Sequence, residues 1–163
     1  MKPKSIRSWP LTLLAGVAAC SGPITTRSGI EGPPVVPAHA TGPATGIALA
    51  PLPEGSGSAA ISARSAVAEA LGRQGYRLAE DAPLRVEVAI AERPAQVDLR
   101  PLAGAALSPA KTQRLLQDCH DRTHRLTLAV TDPAHAGVTR AWAEEHHCKG
   151  TLAASLPALA QQA

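Results

Sequence analysis

Leu84, Val86, Val88 and Ile90 alternate with Arg85, Glu87, Ala89 and Ala91. That period of 2 predicts a strand with one covered face and one wet face, ended by Pro94. Leu126, Leu128 and Val130 alternate in the same way between Arg125 and Thr131. The turn-rich run Asp132-Pro133-Ala134-His135-Ala136-Gly137 follows, and Val138 to His147 reads as the return strand of a hairpin that sets Thr131 against Val138. A different period governs residues 59–74. Ala60, Ala63, Val67, Ala70 and Leu71 form one stripe, and Glu69 and Arg73 stand four apart on the far side. Ser58 suits the N-cap of this helix and Gly75 its C′ position, after which Tyr76 turns the chain back.

Shorter signals fill the remainder. Ile47 to Leu52 reads as a strand closed by Pro51 and Pro53, and Glu54-Gly55-Ser56-Gly57 as a turn. Residues 95–107 lack a period, and Pro101, Gly104 and Pro109 argue for a long loop, with a short helix starting at Ser108-Pro109 and running to Leu116. Thr151 is the cap of a last helix carrying Leu152, Leu156 and Leu159 on one face; Pro157 either kinks it or starts it. The order is β-α-β-loop-β-β-α. It predicts an α+β fold, a small and mostly antiparallel sheet with helices packed on one face.

Ahead of this domain, Lys2, Lys4 and Arg7 precede an apolar stretch from Leu11 to Ala19, with no acidic residue before Cys20. The stretch is much shorter than the roughly 20 residues that span a bilayer, so it is read as a signal segment. Val17-Ala18-Ala19-Cys20 at its end resembles the bacterial lipoprotein leader. The resemblance implies acylation of Cys20, removal of residues 1–19, and, with Ser21 rather than an aspartate next, the periplasmic face of the outer membrane. Two or three acyl chains, at about 0.8 kcal/mol per buried methylene, hold far more firmly than one. Residues 20–46 are dense in Pro and Gly and are expected to be a semi-extended tether, leaving 47–163 as one domain.

Charge then excludes a class of partner. Three of the 16 basic residues and none of the 13 acidic ones lie in the leader, leaving 13 of each beyond it. With no basic tract and no aromatic platform, nucleic acid is not an expected partner. Beyond the leader only Tyr76 and Trp142 are large aromatics, and an Ala/Leu/Val core packs thin layers.

Cys119 and Cys148 flank the hairpin almost symmetrically, since their indices sum to 267 against 269 for Thr131 with Val138. In an oxidising compartment a disulfide between them is the expected outcome. The competing reading adds His120, His124, His146 and His147 to the cysteines as a zinc or copper site. Against it, neighbouring strand residues point to opposite faces, so only His146 shares a face with Cys148. Trp142 occupies the first position where a His-x-x-Glu-His order needs histidine, and no His-Glu-x-x-His exists. Glu144 and Glu145 read as the solvated end of a strand. No catalytic residues and no cofactor are expected.

The run Ala66-Val67-Ala68-Glu69-Ala70-Leu71-Gly72-Arg73-Gln74-Gly75-Tyr76, followed by Leu84 to Val88, resembles a domain-of-unknown-function family of small Gram-negative outer-membrane lipoproteins. Leu126 to Trp142, with Asp132 at the turn, is similar to that family's closing hairpin. The resemblance implies an α+β fold in the periplasm and brings no catalytic residues. The leading expectation is therefore a lipid-anchored, non-catalytic adaptor or structural module that docks another envelope protein or an envelope polymer. The alternative is a periplasmic zinc- or copper-binding, metal-stress protein built on the Cys/His residues.

Overall fold

The computed structural model describes residues 25–32, 46–100, 106–112, 120–133 and 135–163. Cys20, Cys119 and the 33–45 connection therefore lie outside the described residues. Eight elements follow one another: β1 (Thr25–Glu31), β2 (Gly46–Leu49), α1 (Ser58–Arg73), β3 (Arg77–Leu78), β4 (Leu84–Pro94), β5 (Arg122–Asp132), β6 (His135–His147) and α2 (Leu152–Gln162). The six strands form one sheet in the order β1-β6-β5-β4-β2-β3. Pairings β1–β6, β6–β5 and β5–β4 are antiparallel, and β2 runs parallel to both β4 and β3. This is the expected α+β class.

Both helices cover one face of the sheet. Leu84 and Val86 of β4, Leu126 and Leu128 of β5 and Ala143 of β6 point to that face. They meet Ala63, Val67 and Ala70 of α1 and Leu156, Leu159 and Ala160 of α2. Four of these eleven positions are alanine, which lets the helices approach the strands closely. α1 ends in a Schellman motif: Gly75 takes a φ of 90°, Tyr76 N–H bonds to Leu71 O and Gly75 N–H to Gly72 O. Thr151 caps α2, its hydroxyl accepting from Ala154 N–H, and Pro157 sits inside the helix rather than starting it.

The hairpin register has Thr131 opposite Val138, and that register runs on to Arg122 opposite His147. Three expectations are corrected. Thr25–Glu31, within the segment read as a tether, is a full edge strand; its order comes from β6 rather than from any period of its own. Ser108 does not open a helix; it bridges Leu99, and residues 109–112 are irregular, while 113–116 lie outside the described residues. Glu144 and Glu145 are buried, at 0% and 5% exposure, not solvated. No helix among the described residues is long and apolar enough to cross a membrane.

Candidate functional site

The sheet face turned away from the helices is closed in part by the segment after β4. Ala95 N–H bonds to Asp121 O, Lys111 N–H to Ala95 O, and Leu99 and Ser108 exchange backbone bonds, so the segment lies back against the sheet. Under it, antiparallel register sets Arg27, Glu144 and Arg125 side by side on β1, β6 and β5. Arg93 of β4 pairs with Thr123, two residues from Arg125 on the same face. Register thus dictates a row of cation, anion and cation, with a third guanidinium beside it.

Glu144 is the hub. Its Oε2 accepts from Arg27 Nη2 at 2.5 Å and from the Ser108 hydroxyl at 3.0 Å. Its Oε1 accepts from Arg125 Nη1 at 3.1 Å and stands 3.9 Å from Arg93 Nη2. Arg93 also donates to the Ser108 hydroxyl and to Val97 O, tying the covering segment to the cluster. Burial alone would raise the Glu144 carboxyl, but the Ser108 hydroxyl and the Arg125 and Arg27 guanidiniums outweigh it and hold the group below the usual carboxylate range. The Arg93 guanidinium is likewise lowered from its ordinary high value, by burial first and then, against the pull of Glu144, by repulsion from Arg27 and Arg125.

Arg125 also lies over the Trp142 indole, 4.4 Å from its centroid, a cation–π contact. Gly29 faces Trp142 across the β1–β6 pair, and a Cβ there would come 3.0 Å from the ring. The missing side chain lets the indole lie against β1. Arg27 Nε and Trp142 Nε1 are buried donors with no hydrogen-bond partner among the described residues.

The histidines divide between the two faces. His124 and His147 stack under α2, ring centroids 5.1 Å apart. Ser155 Oγ lies 2.7 Å from His124 Nδ1 and 2.8 Å from His147 Nε2, while Glu145 Oε2 lies 2.7 Å from that same His147 Nε2. A carboxylate accepts, so His147 carries its proton on Nε2; the Ser155 hydroxyl then donates to His124 Nδ1 and leaves the His124 proton on Nε2, 3.8 Å from Glu92 Oε2. Burial, then His147, holds His124 below its ordinary value against Glu92 and Glu145. His146 faces the opposite side, bonded through Nδ1 to Thr123 Oγ1 at 2.8 Å. His120 is exposed.

Of the residues read from sequence as a metal set, the fold therefore joins His124 with His147 and separates both from His146. Among the described residues no group of three His, Cys, Asp or Glu side chains is placed to hold a metal ion. Cys148 has a partner, and Cys119 lies outside the described residues. The Ser155–His147–Glu145 contact is not a nucleophile relay. Serine and carboxylate share one ring nitrogen, whereas a relay needs them on opposite nitrogens, and Ser155 is buried beneath its helix.

No known family profile matches the chain, and no curated protein matches it. Among solved structures, a variant of the PelC dodecamer from Paraburkholderia phytofirmans is similar at 19% identity and a TM-score of 0.46, over 83% of this chain and 92% of that one. A second PelC dodecamer structure from the same organism gives 16% and 0.45, over 83% and 93%. A PDZ domain protein from Parabacteroides distasonis gives 10% and 0.48, over 87% of this chain and 37% of its own length.

Proposed function

We propose that the chain is a lipid-anchored lipoprotein of the cell envelope, acylated at Cys20 and held at the periplasmic face of the outer membrane, where its domain docks an envelope protein or polymer without catalysing a reaction. The observation that carries this reading is the leader, Lys2, Lys4 and Arg7 followed by an apolar stretch ending in Val17-Ala18-Ala19-Cys20. The position of β1 supports it. Only residues 21–24 separate the acylated cysteine from a strand built into the sheet edge, so the anchor leads directly into the folded domain. Among the described residues β1 is an edge strand of the sheet, and such an edge is able to accept a partner's strand.

A disulfide between Cys119 and Cys148 belongs to the same proposal. Arg122 is paired with His147, and in sequence these lie three residues after Cys119 and one before Cys148, which supports the pairing. Growth with radiolabelled palmitate tests the anchor: label is expected in the wild-type chain, with the protein in the membrane fraction, and both are expected to vanish in Cys20→Ala. An unlabelled, water-soluble wild-type protein would overturn the reading. Photo-crosslinking from Ile30, exposed on β1, is expected to recover one reproducible envelope component from intact cells.

A further inference from the structure

Three guanidiniums face one carboxylate in the cluster on the open side of the sheet. Arg27, Arg93 and Arg125 together carry three positive charges, and Glu144 returns one. The nearby described acids of the covering region bond to other cations, Asp98 to Arg100 and Asp121 to Lys111 at 2.5 Å, and Asp98 acts on Arg93 only through space. Among the described residues positive charge is therefore in excess at a place with limited access to water, since the three side chains are only 31%, 12% and 15% exposed. Like charges gathered this way repel, and the cost grows as water is excluded.

Donors are in excess as well. A carboxylate offers about four lone-pair positions and each guanidinium five N–H groups, so Glu144 cannot satisfy the three arginines. The buried Nε–H of Arg27 and the indole N–H of Trp142 are left without acceptors among the described residues. Arg27 is the most exposed of the three and borders the sheet edge, so the cluster opens towards solvent on its side.

We infer that Arg27, Arg93 and Arg125, with the Trp142 indole as floor, form a binding site for an oxyanion group, a phosphate or a carboxylate, presented by the docked partner. Planar forked guanidiniums match both chemistries with paired, charge-assisted hydrogen bonds. Glu144 is then a spacer that holds the arginines in position and is itself not displaced, because both its oxygens are bound within the protein. The inference deepens the docking reading by naming the chemistry that the partner presents. It does not depend on acylation: Cys20→Ala is expected to bind the anion as the wild type does, so a failed anchor and a failed site give different results.

The test is calorimetric titration of the full chain in detergent micelles with inorganic phosphate and, separately, with acetate, at ionic strength held constant with sodium chloride. Saturable binding of one equivalent is expected for at least one anion, and the tighter of the two identifies the source chemistry. The Arg27 Nε–H resonance is expected to shift with the same midpoint. Loss of one charge-assisted contact weakens binding by about ten- to a hundredfold, and Arg27→Gln is expected to show that loss. Arg27→Lys, which keeps the charge without the fork, guards against a misfolded edge and is expected to bind several-fold more weakly. Arg73→Gln, on the far side of α1 in an exposed pair with Glu69, is expected to leave binding unchanged. No saturable binding of either anion, equal binding by Arg27→Gln, or equal weakening by Arg73→Gln would each overturn the inference.

Discussion

Glu144→Gln removes one negative charge while keeping the side chain's shape and one acceptor oxygen. In the folded protein Arg27 at 2.5 Å, Arg125 at 3.1 Å and Arg93 at 3.9 Å lose their counter-charge together. Taking away one partner of a buried ion pair costs about 3–5 kcal/mol, because the remaining charge stays desolvated. The guanidiniums retain some contact with water, which places the expected loss at the lower end, about 3 kcal/mol. For a chain of this size each kcal/mol moves the melting midpoint by roughly 2–4 °C, so a drop of about 6–12 °C is expected. Urea unfolding followed by circular dichroism and by Trp142 emission measures both the loss and whether it is local. Adding Arg125→Leu should cost less than it does in the wild type, since it removes one of the stranded cations; the coupling should be about 1 kcal/mol or more. Acid titration adds a sign. The Glu144 carboxyl lies below its ordinary value of 4.5, so its contribution is complete above that pH and is lost as pH falls through the folded value; the variant lacks this acid limb. A variant within about 0.5 kcal/mol of wild type, or strict additivity with Arg125→Leu, would refute the claim that this carboxylate holds the arginines together.

Leu126→Ala, at a site with no exposure among β4, β6 and the helices, is expected to cost about 2–5 kcal/mol in urea unfolding, whereas Ile61→Ala on the outer side of α1 should change stability by less than about 0.5 kcal/mol. His124 and His146 both lie below the ordinary 6.5, in each case chiefly through burial, with His147 adding to it at His124 and Arg27 and Lys111 at His146. The unfolded chain therefore binds more protons below that pH, and stability should be complete above 6.5 and decline as pH falls; His146→Gln should flatten part of that slope, and an unchanged slope would count against it. Gly29→Ala forces the Trp142 ring to shift, and a change in Trp142 emission with a loss of about 1 kcal/mol is expected; identical emission would show that the ring does not move. Under the proposed disulfide, Cys119→Ser and Cys148→Ser should each cost roughly 3 to 4 kcal/mol with the double variant no worse than either, and additive losses would show that the thiols act separately.

The elements that sequence made legible are those whose pattern is their own. The alanine–valine stripe of α1, the alternation of Leu84 to Ile90, and Thr151 ahead of α2 all carry a period or a cap. The hairpin register was legible too. An index sum of 269 that joins Thr131 to Val138 also joins Arg125 to Glu144, so half of the arginine cluster was implicit in it. Glu144 and Glu145 nevertheless read as solvated, because a charged dipeptide near a strand end carries no mark of what will cover it. The burial of Glu144 depends on Arg27 and on the segment around Ser108, neither of which has a local signal, while Glu145 lies on the opposite face against His147. In β1 only Ile30 is large and apolar; its remaining residues are Thr, Arg, Ser, Gly and Glu, and strand form there is imposed by β6. The His124–His147 stack escaped for another reason. Opposite-face logic correctly divides His146 from His147, but it does not show that α2 would bring Ser155 between two rings on neighbouring strands.

The placement of β1 dictates an order of assembly. Its pairing joins residues 25–31 to 140–146, so β1 finds its neighbour only once the more than one hundred residues between them exist. Contacts between such remote segments form late, after the local hairpin β5–β6 has zipped. Until then seven residues of bare backbone wait with both edges unsatisfied, a ribbon open to pairing with the wrong chain. The finished sheet closes on that side only when β1 docks against β6.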